Sequence, residues 1–270
     1  MTVRVLCPAK VNTFLAVGPP DSRGYHPLRT VFQAVGLFDE LHISRAGEDS
    51  IVCDWDSLPP ENTLTRTLRL IREAVVVPPL RIQLSKRIPS QSGLGGGSSD
   101  AAGLIRGLRP FLPAPLSEGF LQDVAISVGA DVPFFLVGGR ARGEGYGEQL
   151  TPLPDEPRRW LVLAKPDYGC STPEMFRALD SIEREWREFP AEDELYNDFE
   201  RACPCGCLEL IDRLISLGAD DAGLSGSGSA VFGRFPSEEV AAEAARGMEG
   251  EVWIVPTLSR QESLFMETLK

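Results

Sequence analysis

Apolar and polar residues alternate along the start of the chain. Val3, Val5 and Cys7 fall on one face, followed by Val11, Thr13, Leu15 and Val17, and this period of two predicts strand. A second alternation sets Leu80, Ile82 and Leu84 against Arg81, Gln83 and Ser85. The period then changes. Ala101, Leu104, Ile105 and Leu108 stand at i, i+3, i+4 and i+7, predicting a helix that starts close to Ser98 or Ser99. Further along come an apolar segment at 131–137, a buried strand at 160–164 and helical patterns at 173–184 and 208–217. A strand-turn-strand at 224–232, a helix through Val240, Ala241, Ala244, Ala245 and Met248, and a strand at 252–255 complete the pattern. Strands and helices mix in both halves, which predicts an α+β arrangement. The proline-rich stretch 152–157 reads as a linker, dividing the chain into 1–152 and 158–270.

Between the strand at 80–85 and the following helix, four glycines fall within five residues, from Gly93 to Gly97. Strand, glycine loop and helix N-terminus together make an anion site. Free amides and the positive end of the helix dipole face whatever lies in the loop, and glycine lets the backbone come close. No lysine follows the last glycine, so this is not the common phosphate loop, and a dinucleotide fingerprint is not matched. A flexible glycine linker is the bland alternative, but a linker does not sit between a strand and an amphipathic helix.

Composition narrows the partners. Hydrophobic residues at 43% and charged residues at 24% describe an ordinary globular protein. No apolar run approaches the roughly 18 residues of a membrane span, and the first ten residues lack a signal-peptide core, so neither membrane nor export is expected and a cytoplasmic location is. A net charge of −12 argues against a nucleic-acid surface but leaves a nucleotide ligand open. Cys203, Cys205 and Cys207 invite a metal reading. Their spacing is tighter than usual zinc pairs and no histidine follows, so a structural role is favoured. Lys10 has apolar neighbours in Val5, Val11 and Phe14; if they bury it, its charge requires an anionic partner.

Three motifs stand in order: Pro8-Ala9-Lys10-Val11-Asn12, the glycine loop, and Leu224-Ser225-Gly226-Ser227-Gly228-Ser229. Together they resemble the GHMP kinase superfamily over nearly the whole chain. Gly24-Tyr25-His26, Gly129-Ala130-Asp131, Ser171-Thr172-Pro173 with Phe176, and Asn197-Asp198-Phe199-Glu200 narrow the resemblance to its cytidylyl-substrate branch. It implies a two-domain fold, with an ATP-binding domain at 1–152 and a smaller α+β domain at 158–270. It implies ATP-dependent phosphorylation of the 2-hydroxyl of 4-diphosphocytidyl-2-C-methyl-D-erythritol, a cytidine diphosphate methylerythritol, in non-mevalonate isoprenoid synthesis. Mevalonate-type or homoserine-type kinases and a non-catalytic nucleotide-binding relative are the alternatives.

The same resemblance places the catalytic base at Asp131, with Lys10 as its partner. Gly93, Leu94, Gly95, Gly96, Gly97, Ser98 and Ser99 would hold the ATP phosphates, and Ser98 or Ser99 would reach Mg²⁺ unless one of them only caps the helix. Asn62 and Lys86 would lie near the adenine, with a solvated loop or surface role as the alternative. Tyr25, His26 and Phe176 would take the cytidine, with Asn12 and Thr172 on the substrate; a helix N-cap is the bland role for Thr172. The 225–229 segment either closes on the site or is a simple hairpin turn. Cys203 to Cys207 has no expected counterpart in the family.

Overall fold

The computed structural model describes residues 1–55, 58–191 and 193–269. The first half contains β1 (Thr2–Val17), β2 (Leu28–Arg45), β3 (Ser50–Cys53), α1 (Thr63–Ala74), β4 (Leu80–Ser85) and α2 (Gly96–Leu108). It continues with α3 (Glu118–Val128), α4 (Val132–Val137), β5 (Arg140–Glu144) and β6 (Gln149–Pro152). The second half holds β7 (Trp160–Lys165), α5 (Thr172–Asp180), β8 (Tyr196–Asn197), α6 (Cys205–Ser216) and β9 (Asp221–Leu224). It ends with β10 (Val231–Phe235), α7 (Glu238–Arg246), β11 (Glu251–Pro256), α8 (Arg260–Ser263) and β12 (Met266–Leu269). The α+β expectation holds.

The two alternating runs at the N-terminus are one strand. β1 pairs antiparallel with β2 along its whole length, with register shifts between Pro8 and Ala9 and between Asn12 and Phe14. Its first residues alternate buried and half-buried, but from Cys7 to Val17 every residue is buried. The reason is cover on both faces. Val3, Val5 and Cys7 share a core with α2, while Ala9 and Val11 pack with Leu161, Leu163 and Phe232 of β7 and β10. β4 shows the expected alternation of buried and exposed residues. The large sheet runs β12-β1-β2-β4-β3, with β5 and β6 joined through β2 and β8 on β1. The smaller sheet, β11-β7-β10-β9, is antiparallel.

β8 and β12 lie beyond residue 158 in sequence yet pair with β1, so the sheets do not follow the 1–152 and 158–270 division strand for strand. α2 sits directly on the large sheet because two glycines let it. A Cβ on Gly103 would stand 2.3 Å from the Cys7 sulfur, and one on Gly107 would stand 2.5 Å from Ile43 Cδ1. All six cysteines are free thiols. Cys207 is a core residue of the smaller sheet and its thiol donates to the Ser229 carbonyl at 3.5 Å. Among the described residues, no group of three or more His, Cys, Asp or Glu is placed to hold a metal ion.

Candidate active site

The glycine loop is shaped by two left-handed residues, Gly93 at φ +75° and Gly95 at φ +77°. Gly95 is the N-cap of α2 and the amide of Ser99 bonds to its carbonyl at 2.9 Å. The helix therefore begins at Gly96, earlier than the apolar period indicates, because a backbone-only cap leaves no side-chain signal. Neither Ser98 nor Ser99 caps it. The amides of Gly96, Gly97 and Ser98 are left without intrahelical acceptors, the arrangement that suits an anion. Ser98 is half-buried and lines a cavity of about 470 Å³ together with Gly93, Gly95, Gly96, Gly97, Asn62 and Lys86. Ser99 is fully buried and, among the described residues, its hydroxyl has no partner, whereas Leu94 is buried in the core beneath the loop.

The three motifs converge on this loop. The Lys10 amide donates to Leu94 O at 3.0 Å. The Ser225 hydroxyl donates to Gly93 O at 3.1 Å, and the Ala230 amide donates to Ser92 O at 3.0 Å. The 225–229 segment is thus both the β9–β10 turn and a wall of the site. A Cβ on Gly226 would stand 3.2 Å from Lys10 Nζ. Asn197 holds this turn: its buried amide donates to Leu224 O and Gly226 O at 2.8 Å each and accepts from the Phe199 amide.

Lys10 is 3% exposed and its ammonium lies 3.6 Å from Asp131 Oδ2. It also donates to Asn12 Oδ1 at 2.6 Å, and Asn12 Nδ2 in turn donates to Thr30 Oγ1 at 2.7 Å. That chain fixes the Asn12 amide within β1. Burial lowers the pKa of Lys10, and the Asp131 carboxylate opposes it. Asp131 is the residue before α4, yet its side chain makes no capping bond. Its carboxylate is turned to the lysine and is partly open to solvent.

The other expected residues are placed as follows. Asn62 lines the cavity, but it caps α1: Oδ1 accepts from the amides of Leu64 and Thr65 and Nδ2 donates to Pro59 O. Thr65 completes a capping box, a signal legible in Asn62-Thr63-Leu64-Thr65. Lys86 is in contact with Asp39 and Asp100, two carboxylates the sequence pattern did not single out. Thr172 is not the cap of α5, which is Ser171; the Thr172 hydroxyl instead meets Ser227 Oγ at 2.8 Å. His26 donates from Nδ1 to Gly18 O at 2.8 Å, with Nε2 3.2 Å from Asp180, and stacks on Phe176 at 5.1 Å. Tyr25 is 63% exposed and lies edge-on to Tyr146. Tyr25 and Phe176 thus belong to two separate aromatic pairs.

The chain matches the family described as GHMP kinases N terminal domain over residues 62–139, and GHMP kinases C terminal over residues 208–254. It is 35% identical over 283 aligned residues to the 4-diphosphocytidyl-2-C-methyl-D-erythritol kinase of Desulfitobacterium hafniense, covering 96% of this chain and 97% of that one. The kinase of the same name from Geobacter metallireducens is 36% identical over 260 residues, 89% of this chain and 92% of that one. A crystal structure of 4-(cytidine 5'-diphospho)-2C-methyl-D-erythritol kinase superposes with a TM-score of 0.83 at 33% identity, covering 94% of this chain and 98% of that chain. A homoserine kinase from Cytophaga hutchinsonii shares the fold, with a TM-score of 0.74 at 17% identity over 98% of this chain and 97% of that one.

Proposed function

The chain belongs to the 4-diphosphocytidyl-2-C-methyl-D-erythritol kinases of the GHMP kinase family, and from that premise we propose how its own residues carry the reaction. ATP gives its γ-phosphoryl group to the 2-hydroxyl of 4-diphosphocytidyl-2-C-methyl-D-erythritol. A bond forms from that oxygen to phosphorus, the bond to the ADP oxygen breaks, and the hydroxyl proton passes to Asp131. The observation that carries this reading is the Lys10–Asp131 pair standing beside the free amides of α2 and the Gly226 turn. Main-chain amides of the glycine loop meet the polyphosphate. Lys10, buried beside Asp131, meets the charge that develops on the transferring group, and its contact with Asp131 holds that carboxylate at the acceptor.

The chemistry of the donor set fits Mg²⁺ bound mainly by phosphate oxygens and water, as is usual for phosphoryl transfer. Ser98, half-buried on the cavity wall, is the hydroxyl able to join it; Ser99 is enclosed by the core. The cation would neutralise charge on the donor phosphates. For the acceptor, the exposed Tyr25 ring and the Phe176–His26 stack offer flat faces to the cytosine, and His26 Nε2 can exchange Asp180 for the base edge. Asn12 and the Thr172–Ser227 pair supply polar groups for the diphosphate and sugar alcohol. Among the described residues no helix is long and apolar enough to cross a membrane.

A coupled assay for ADP tests the assignment. ADP release should require the cytidylyl substrate and be absent with mevalonate or homoserine. Asp131→Asn should lower kcat by about a hundredfold or more with little change in nucleotide affinity. An Asp131→Asn enzyme as fast as the parent removes this residue from the mechanism, and turnover of homoserine or mevalonate overturns the substrate.

A further inference from the structure

The polar chain behind Lys10 has a direction, and one hydroxyl sets it. Lys10 and Asn12 stand two residues apart on β1, opposite Ala34 and Phe32 of β2. With a period of two, Lys10, Asn12, Phe32 and Thr30 share one face of the sheet. Lys10 Nζ lies 5.7 Å from the centre of the Phe32 ring on that face. Just past Asn12 the register of β1 on β2 shifts, and there Thr30 Oγ1 donates to Phe14 O at 2.8 Å. Thr30 is wholly buried, and Lys10 and Asn12 are almost so, which makes the polar atoms of all three depend on one another.

Donor and acceptor chemistry leaves one arrangement. A main-chain carbonyl only accepts, so the single proton of the Thr30 hydroxyl goes to Phe14 O. The hydroxyl oxygen is then left to accept, and it takes an Asn12 Nδ2 proton at 2.7 Å. The other end of the amide is thereby turned to Lys10, whose ammonium only donates and meets Asn12 Oδ1 at 2.6 Å. Were the amide turned over, its NH2 would face the ammonium and its oxygen would face a hydroxyl with no proton to give. Buried donors would then oppose each other and a buried acceptor would go unpaired, which is the costly case.

The ammonium itself is shared. Its short bond is to Asn12, whereas Asp131 Oδ2 stands at 3.6 Å, just beyond hydrogen-bond length. The Gly226 turn closes on the same nitrogen from another side.

We infer that Thr30 is a positioning residue for phosphoryl transfer: by committing its proton to the Phe14 carbonyl it fixes the Asn12 amide with Oδ1 toward Lys10, and so keeps the ammonium from closing fully onto Asp131. That spacing serves both partners. An ammonium drawn wholly onto Asp131 would occupy the carboxylate that accepts the hydroxyl proton and would withdraw from the transferring group. The inference deepens the kinase reading and rests on it, because it takes Lys10 and Asp131 to be the groups at the reacting atoms.

Three substitutions at this position separate the hydroxyl from the shape. Thr30→Val keeps the branched shape and loses the hydroxyl, Thr30→Ala loses both, and Thr30→Ser keeps the hydroxyl and loses the methyl. Steady-state ADP release with the cytidylyl substrate, alongside thermal unfolding, reads each one. Thr30→Val and Thr30→Ala should lower kcat by about tenfold to a hundredfold with little change in the KM for ATP. Thr30→Ser should turn over at close to the parent rate. A role in packing alone predicts the opposite order, because valine fills the threonine site better than serine does. If the valine protein does not fold, the serine and alanine proteins make the same comparison. Thr30→Val in an Asn12→Ala background gives a second measure: it should change kcat by less than about twofold, since the amide it orients is gone. A valine protein as fast as the parent, a serine protein as slow as the alanine one, or equal losses in the two backgrounds overturns the inference alone. A loss confined to the KM for ATP places Thr30 with the nucleotide and overturns it too. A parent protein that releases no ADP with the cytidylyl substrate overturns the kinase reading with it.

Discussion

Gly93→Ala probes the contact that locks the two glycine-containing loops together. A Cβ at this position would stand 2.0 Å from the Ser225 carbonyl oxygen and 2.9 Å from its carbon. A carbon and an oxygen rest at well over 3 Å, so the β9–β10 turn would have to retreat by about 1 Å. That turn is not free to move, because Asn197 grips it through two carbonyls and its Ser225 hydroxyl bonds to Gly93 O. Overpacking of this kind costs about 1–3 kcal/mol. The left-handed backbone, at φ +75°, adds about 1–2 kcal/mol for an alanine. The expected loss is therefore about 3 kcal/mol, a fall in Tm of about 6 °C or more. Because the strain sits between the phosphate loop and the wall beside Lys10, the KM for ATP should rise as well. Thermal unfolding and steady-state kinetics read the two effects. Gly119→Ala is the control, since a Cβ there meets nothing within 4 Å and the site lies in α3; it should leave Tm unchanged or slightly raised. A Gly93→Ala protein that melts with the parent and binds ATP equally well would refute the locked-loop account.

Two further substitutions separate holding roles from contact roles. Asn197→Ala strips hydrogen bonds from two buried carbonyls and one amide, and should cost about 2–4 kcal/mol in urea unfolding; a loss below about 0.5 kcal/mol would show that the turn holds itself. Asn62→Ala removes the cap of α1 and should cost about 1 kcal/mol, while Asn62→Ser restores the cap without the amide. Recovery of both stability and ATP KM in the serine variant is expected, and a KM that stays raised would assign the amide to the nucleotide.

Several residues were legible before any coordinates because their signals are local. The alternation of Leu80, Ile82 and Leu84 is the alternation of burial along β4. The glycine loop ahead of Ala101, Leu104, Ile105 and Leu108 runs into a helix N-terminus without a side-chain cap. Where a boundary was missed, the cause is equally local. Gly95 caps with its main chain, so the helix starts before any polar side chain marks it. Asn62, which the resemblance places near the nucleotide, lines the cavity and also caps α1, a role that Thr65 three residues on announces.

What the sequence by itself determined is therefore part of the element set, among them β1, β4 and α2, together with the glycine loop and the family, whereas β2, α1 and α3 carried no reading: hydrophobic period, glycine and short motifs act over a few residues and survive in any environment. What only the tertiary structure decided is which charges share a space. Lys10 meets Asp131 at the head of α4, Lys86 meets Asp39 and Asp100, and Asn197 meets the β9–β10 turn. A carboxylate on β2 and another on α2 look alike in the chain. They differ in the fold because one is given three donors and the other a single one. The cost of a buried charge depends on the donors around it, and those arrive from distant segments that no local pattern brings together.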